Sequence, residues 1–156
     1  MAGIYTINHN AIVVATAITI IQYKAGAANK ARVVRFSISQ GLSETSTQEQ
    51  IQLLRKTVAA TVTSFTPLIL AEGAGTEVVA AAVGGTSATG TNASAEGTDG
   101  DILYRWSVSV QAGGGLQIWF PEGLVQVGAA GIVALKLNNT ITSATLTVTM
   151  QFSEFG

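Results

Sequence analysis

From Ala144 to Ser153 the side chains alternate without a break. Ala144, Leu146, Val148, Met150 and Phe152 share one parity; Thr145, Thr147, Thr149, Gln151 and Ser153 share the other. Successive side chains leave a strand on opposite faces, so the pattern specifies a strand with one face in a core and one in water or against a polar partner. A helix would scatter both classes around its circumference.

The same period recurs along the chain. Over Asp101–Gln111, Ile102, Tyr104, Trp106, Val108 and Val110 read as inward against Arg105, Ser107 and Ser109. Val34, Phe36 and Ile38 alternate with Arg35, Ser37 and Ser39. Leu116, Ile118 and Phe120 form a short strand that Pro121, lacking a backbone donor, ends. Val133, Leu135 and Leu137 form another around Ala134 and Lys136. Residues Ile12 to Tyr23 are apolar on both parities, as one strand covered on both sides would be.

Turn-forming clusters separate these runs: Asn8-His9-Asn10, Ala25-Gly26, Gln40-Gly41, Gly113-Gly114-Gly115, Gly128 to Gly131 and Asn138-Asn139. Short strands with turns at this spacing predict an all-β antiparallel sandwich, jelly-roll-like and of about eight strands, in a single domain over 1–156. Two segments resist the pattern. Ser46-Thr47-Gln48-Glu49 has the form of a helix capping box ahead of good helix formers in 46–60. A strand with Ile51 and Leu53 inward and Gln50 and Gln52 outward is the preferred reading there, because the neighbouring elements are β. Residues 73–97, almost wholly Ala, Gly, Thr, Ser and Val, read as a low-complexity loop or insert, with Val78–Val83 as a candidate edge strand.

Charge decides what surrounds the fold. Charged residues make up 11% of the chain while 47% are hydrophobic; a typical soluble domain carries roughly 25% charged. Either other protein covers much of this surface, or Thr, Ser, Gln and Asn keep it wet, or both. The net charge of −1 favours neither nucleic acid nor an anionic membrane. The densest basic cluster is Lys30, Arg32 and Arg35, with Arg35 predicted on the face opposite the other two; it is too sparse and too poor in aromatics for nucleic acid. A solvated strand end, or contact with an acidic protein surface, is the better reading. No cysteine is present, so disulfides and thiol chemistry are excluded. The apolar run Ile12–Ile21 is about half a membrane-spanning helix, and the chain opens without a secretory positive region, so synthesis in the cytoplasm and no membrane partner are expected.

The residues offer little for catalysis. His9 stands in an Asn-His-Asn turn context with no serine elbow in the chain. Glu44, Glu49, Glu72, Glu77, Glu96, Asp99, Asp101, Glu122 and Glu154 mostly fall in or beside predicted loops, where solvated carboxylates are expected. Thr98-Asp99-Gly100-Asp101 lacks the remaining ligands of a calcium loop and reads as a tight turn. Ala112-Gly113-Gly114-Gly115 reads as a hairpin rather than a phosphate cradle. The expectation is a protein that is no enzyme and takes no cofactor or metal. Trp106 falls on an inward stripe. Trp119 falls on the parity opposite Leu116, Ile118 and Phe120, beside Pro121-Glu122, as an interface anchor or part of a sugar-stacking platform.

Several segments together resemble a known group. They are Ile4-Tyr5-Thr6 with the strand Ala11–Tyr23, Ala28–Arg35, Glu49–Arg55, the Ala/Thr/Gly insert, the Trp119-Phe120-Pro121-Glu122 corner and the ending Met150–Gly156. In that order they resemble the small head decoration, or cement, proteins of tailed phages, single jelly rolls that sit on the capsid as trimers. The resemblance covers nearly the full chain through short motifs. It implies a homotrimer bound to the major capsid protein on the virion exterior, with no enzymatic activity. The candidate interface residues are Trp119, Arg32, Arg35 and Tyr5. The alternative is a β-sandwich carbohydrate-binding or tail-adhesion component. A genome-packaging shell subunit fits less well, since residues 1 to 23 hold no Arg or Lys.

Overall fold

The structure, a computed structural model, describes residues 3–14, 18–42, 47–70, 81–110, 114–139 and 144–155. Twelve strands occur among them: β1 (Ile4–Val14), β2 (Ile18–Lys24), β3 (Lys30–Leu42), β4 (Thr47–Val58), β5 (Thr61–Ser64), β6 (Leu68–Ile69), β7 (Gly90–Ala95), β8 (Thr98–Val110), β9 (Gly115–Trp119), β10 (Gln126–Val127), β11 (Ile132–Leu137) and β12 (Ala144–Phe155). They form two antiparallel sheets. Eight of them carry the framework. In the first sheet the neighbours run β1, β12, β3, β9; in the second, β2, β11, β4, β8. Consecutive framework strands cross from one sheet to the other, except β4 and β8, which pair within the second. That is the jelly-roll order.

The remaining strands are short additions. The segment between β4 and β8 gives β6 to the edge of the first sheet at β1, and β5 with β7 to the edge of the second at β2. It therefore dresses both sheets on one side of the sandwich. The opposite side ends at β8 in the second sheet and, in the first, at β9 and β10, which pair with successive stretches of β3. β8 is a long edge strand, blunted by register shifts against β4 and by the exposed Asp101 and Arg105.

The alternating stripes meet between the sheets. Leu146, Val148, Met150 and Phe152 from β12, with Phe36 and Ile38 from β3, pack against Ile51, Leu53, Val133, Leu135 and Leu137. Tyr23 and Phe152 lie 4.1 Å apart by ring centroid, and Trp106 meets Phe36 edge-on at 5.0 Å. Each such large side chain contributes roughly 1.5–3 kcal/mol relative to exposure.

The strand preferred for 46–60 is observed over Thr47–Val58, where Ile51 and Leu53 complete the core stripe. Several other local expectations change. Gln52, expected to face out, is buried between its cross-strand partners Arg105 on β8 and Lys136 on β11. Residues Ile12–Tyr23 are not one strand: β1 and β2 belong to different sheets, and 15–17 lie outside the described residues. Asn8-His9-Asn10 lies inside β1, where a bulge between His9 and Ile12 takes up the irregularity, and Gln40-Gly41 lies inside β3 at another. Thr98–Asp101 is strand, with the turn displaced to Glu96-Gly97. Within 73–97, Gly90–Ala95 is a strand, while Val78–Ala80 lie outside the described residues and Ala81–Val83 are not strand. Finally, Ile102 is 40% exposed: Tyr104 pairs with Leu53 but Ile102 with Leu54, so Leu103 is the extra residue and the stripe changes face.

Candidate functional site

The outward face of the first sheet is built from the polar parity of the same strands. Register fixes its rows. Thr6, Gln151, Arg35 and Trp119 oppose one another across β1, β12, β3 and β9; beside them run Asn8, Thr149, Ser37 and Gln117, then Thr147, Ser39 and Gly115. On the other flank lies Ile4, Ser153 and Arg32. Among the described residues, these rows hold no carboxylate.

A bulge assembles this face. Gln151 pairs with Arg35 and Phe152 with Val33, which leaves Val34 unmatched in β3. The extra residue shifts parity, so Arg32 and Arg35 emerge on one face. The expectation that Arg35 would oppose Lys30 and Arg32 is thereby corrected; strict alternation carried no sign of the insertion.

The two arginines have different surroundings. Arg32 forms an ion pair through Nη1 with Glu122, on the loop after Pro121. Together with Ile4, Val33, Val34, Phe120 and Ser153 they line a shallow hollow of about 140 Å³. Arg35 has its guanidinium carbon 4.8 Å from the centroid of the Trp119 ring. Its Nε is buried and has no acceptor among the described residues. Trp119 is 59% exposed, the highest exposure among the large hydrophobic side chains described. Its outward placement follows from Leu116, Ile118 and Phe120 taking the inward parity of β9.

Tyr5 does not join this surface. It is 2% exposed and stacks on Phe152 at 5.7 Å in the core, because it shares parity with Ile7. Ile4, one residue earlier, takes the outward position and is 42% exposed. Trp119, Arg32 and Arg35 are brought together; Tyr5 is replaced by Ile4.

Sequence reasoning missed a second cluster, on the outward face of the second sheet. The side chain of Lys56 is fully buried, and its Nζ donates to Asp99 Oδ1 at 2.6 Å and to the Glu96 backbone carbonyl at 2.6 Å. Lys136 Nζ lies 2.5 Å from Asp99 Oδ2 and 3.3 Å from Glu96 Oε2. The Thr19 amide and hydroxyl donate to the two oxygens of Glu96. Burial acts against ionisation here, but the bonds from Thr19 and the two ammonium groups hold the Glu96 carboxyl below its ordinary range. Asp99 is lowered in the same way and Lys136 raised by its two carboxylate partners. All four groups are satisfied by one another, which makes the cluster a clamp tying β4, β11 and the β7–β8 turn rather than a reactive centre. Nearby, Gln22 is buried with its amide bonded to Ala60 and Ala88.

Two more carboxylates are buried rather than solvated. Glu154 accepts from the Tyr23 hydroxyl at 3.1 Å, and burial with that carboxylate pushes the phenol upward. Glu49 lies on the inward parity of β4, 1% exposed, beside a space of about 10 Å³ lined also by Ile38, Ile51, Val108 and Leu146. Its Oε1 has no hydrogen-bond partner among the described residues, and desolvation raises its pKa to about 7. His9, expected in a turn, is held in β1 with Nδ1 2.9 Å from Thr91 Oγ1. Among the described residues no group of His, Asp and Glu is arranged to hold a metal ion. Among the described residues no helix is long and apolar enough to cross a membrane.

Comparison adds no relative to this geometry. No protein-family model, curated protein or solved structure matches the chain. The Trp119–Arg35 face combines a large exposed aromatic, a neighbouring cation and an uncharged polar surround, and Trp and Arg are residue types enriched at protein interfaces.

Proposed function

We propose that this chain is a non-enzymatic virion subunit, a capsid decoration protein that docks on the outer shell as an oligomer, a homotrimer by the resemblance given above. The observation that carries the reading is the outward face of the first sheet, where exposed Trp119 and half-buried Arg35 stand among uncharged Thr, Ser, Gln and Asn rows without a carboxylate among the described residues. A monomer gains nothing from an exposed Trp, whereas Trp and Arg are the residue types that dominate binding energy at protein interfaces. Jelly rolls serve as capsid components and as lectins alike, so the fold supports the class without choosing the role. Docking in several copies at once multiplies weak contacts, which suits a chain so poor in charge.

The test has two arms. Size-exclusion chromatography with light scattering should report an oligomer, and the protein should sediment with undecorated heads. A stable monomer indifferent to heads would end the proposal. Trp119, with Gln117 two residues away on the same strand face, also favours a second reading, a carbohydrate-binding virion component in which the indole stacks on a sugar. Binding on a glycan array that Trp119→Ala removes would promote it.

A further inference from the structure

Charge pairing on the docking face is incomplete. Arg32 is neutralised by Glu122, but Arg35 has no counter-ion among the described residues. Its guanidinium is fixed from one side by Trp119, and its Nε–H is buried with no acceptor. A buried donor left unmade costs about 1–3 kcal/mol, more when charged. Natural folds leave few such groups. The residues around it, Ser37, Gln117, Thr149 and Gln151, bring no negative charge.

We propose that Arg35, oriented by Trp119, receives a carboxylate side chain from the protein on which the first sheet docks. The inference rests on the docking reading above and names the chemistry of the partner: an Asp or Glu set in an apolar surround. The acid satisfies the guanidinium through charge-assisted hydrogen bonds, and the apolar surround covers the indole, so both members of the pair are used by one group. A neutral glycan would cover the ring but leave the cation uncompensated.

The test uses acetyl-Leu-Glu-Leu-amide and its Gln counterpart as probes against the full chain, following the Arg35 Nε–H resonance by NMR and Trp119 fluorescence. The Glu peptide should give a saturable shift and the Gln peptide a response roughly tenfold or more weaker, with Arg35→Gln abolishing the difference. Equal responses to the two peptides, or none, would overturn the proposal. In parallel, Arg35→Glu should lose sedimentation with undecorated heads, as should amidation of the heads' carboxylates. If heads hold wild type and Arg35→Glu alike, the inference falls and decoration stands. If heads hold neither while the Glu peptide still binds selectively, decoration falls and the carboxylate anchor stands. If instead Asp101→Asn abolishes self-association in a chain indifferent to both peptides, the acid belongs to a second copy and the proposal of a separate partner is overturned.

Discussion

Arg35 and Trp119 are direct cross-strand partners on β3 and β9, and the guanidinium carbon lies 4.8 Å from the centroid of the indole ring. The pair is held by register rather than by the core, since Trp119 projects away from Leu116, Ile118 and Phe120. It joins an exposed indole on the edge strand β9 to a half-buried guanidinium on β3.

Trp119→Ala should therefore weaken assembly far more than folding. Surface substitutions usually cost within about 0.5 kcal/mol of stability, whereas an interface anchor is worth about 2 kcal/mol or more. Urea midpoints and light scattering on the same preparations separate the two. Equal loss of both would place Trp119 in a packed core, against its exposure here.

Much of the architecture was legible because alternation survives wherever a strand has one buried face. β12, β11 and β9 put their inward residues where the pattern says. Legibility fails at bulges. One unmatched residue at Val34 reverses the parity of Arg32, and one at Leu103 exposes Ile102, with no local signal in either case. The candidate site was half visible: Trp119 could be assigned from parity, but the meeting of Arg32 and Arg35 depends on the bulge, and choosing Tyr5 over Ile4 is a one-residue slip between faces. The Lys56 clamp was invisible, because its members are more than thirty-five residues apart in pairs such as Lys56–Glu96 and meet only through strand order.

Glu49 predicts that stability declines toward alkaline pH. Its carboxyl is raised from 4.5 to about 7 by desolvation, facing Ile38, Gln40, Val108 and Leu146, with no charged side chain among the described lining residues. Below pH 4.5 both folded and unfolded states hold the proton. Between 4.5 and about 7 the unfolded chain releases it first, so the folded state loses relative stability as pH rises, fully so above 7. Glu49→Gln should flatten this limb and stabilise the protein at pH 8 by an amount on the order of 2 kcal/mol. Unfolding midpoints at pH 5 and pH 8 provide the check; an unchanged difference between them would show that Glu49 is solvated.

The Lys56 clamp acts on the acid limb. Glu96 and Asp99 are lowered, so their contribution is present above the ordinary carboxyl range and is lost as pH falls through their depressed values. Lys56→Met leaves two carboxylates facing Lys136 alone, and should cost about 3 kcal/mol at pH 7. The penalty should shrink below pH 4 as the carboxyls take up protons. A penalty independent of pH would mean that packing of the Lys56 stem, not its charge, is what matters.

The clamp in turn depends on the β7–β8 turn that delivers Glu96 and Asp99 to the ammonium groups of Lys56 and Lys136. Gly97 adopts φ +67°, and a Cβ there would sit 2.4 Å from the Ala59 carbonyl oxygen and 2.5 Å from that of Val58. Two separate costs follow for a side chain, backbone strain and collision with backbone atoms that cannot swing aside. Asn tolerates the left-handed region far better than Ala, so the pair of variants tells them apart. If strain alone mattered, Gly97→Asn would be nearly neutral and Gly97→Ala would cost about 1–2 kcal/mol. Because the collision is with backbone, both should lose about 2 kcal/mol or more, and both should lose the acid-limb dependence as Glu96 moves off Lys56. A fully stable Gly97→Asn with the wild-type pH profile would show that the turn can relax without disturbing the clamp.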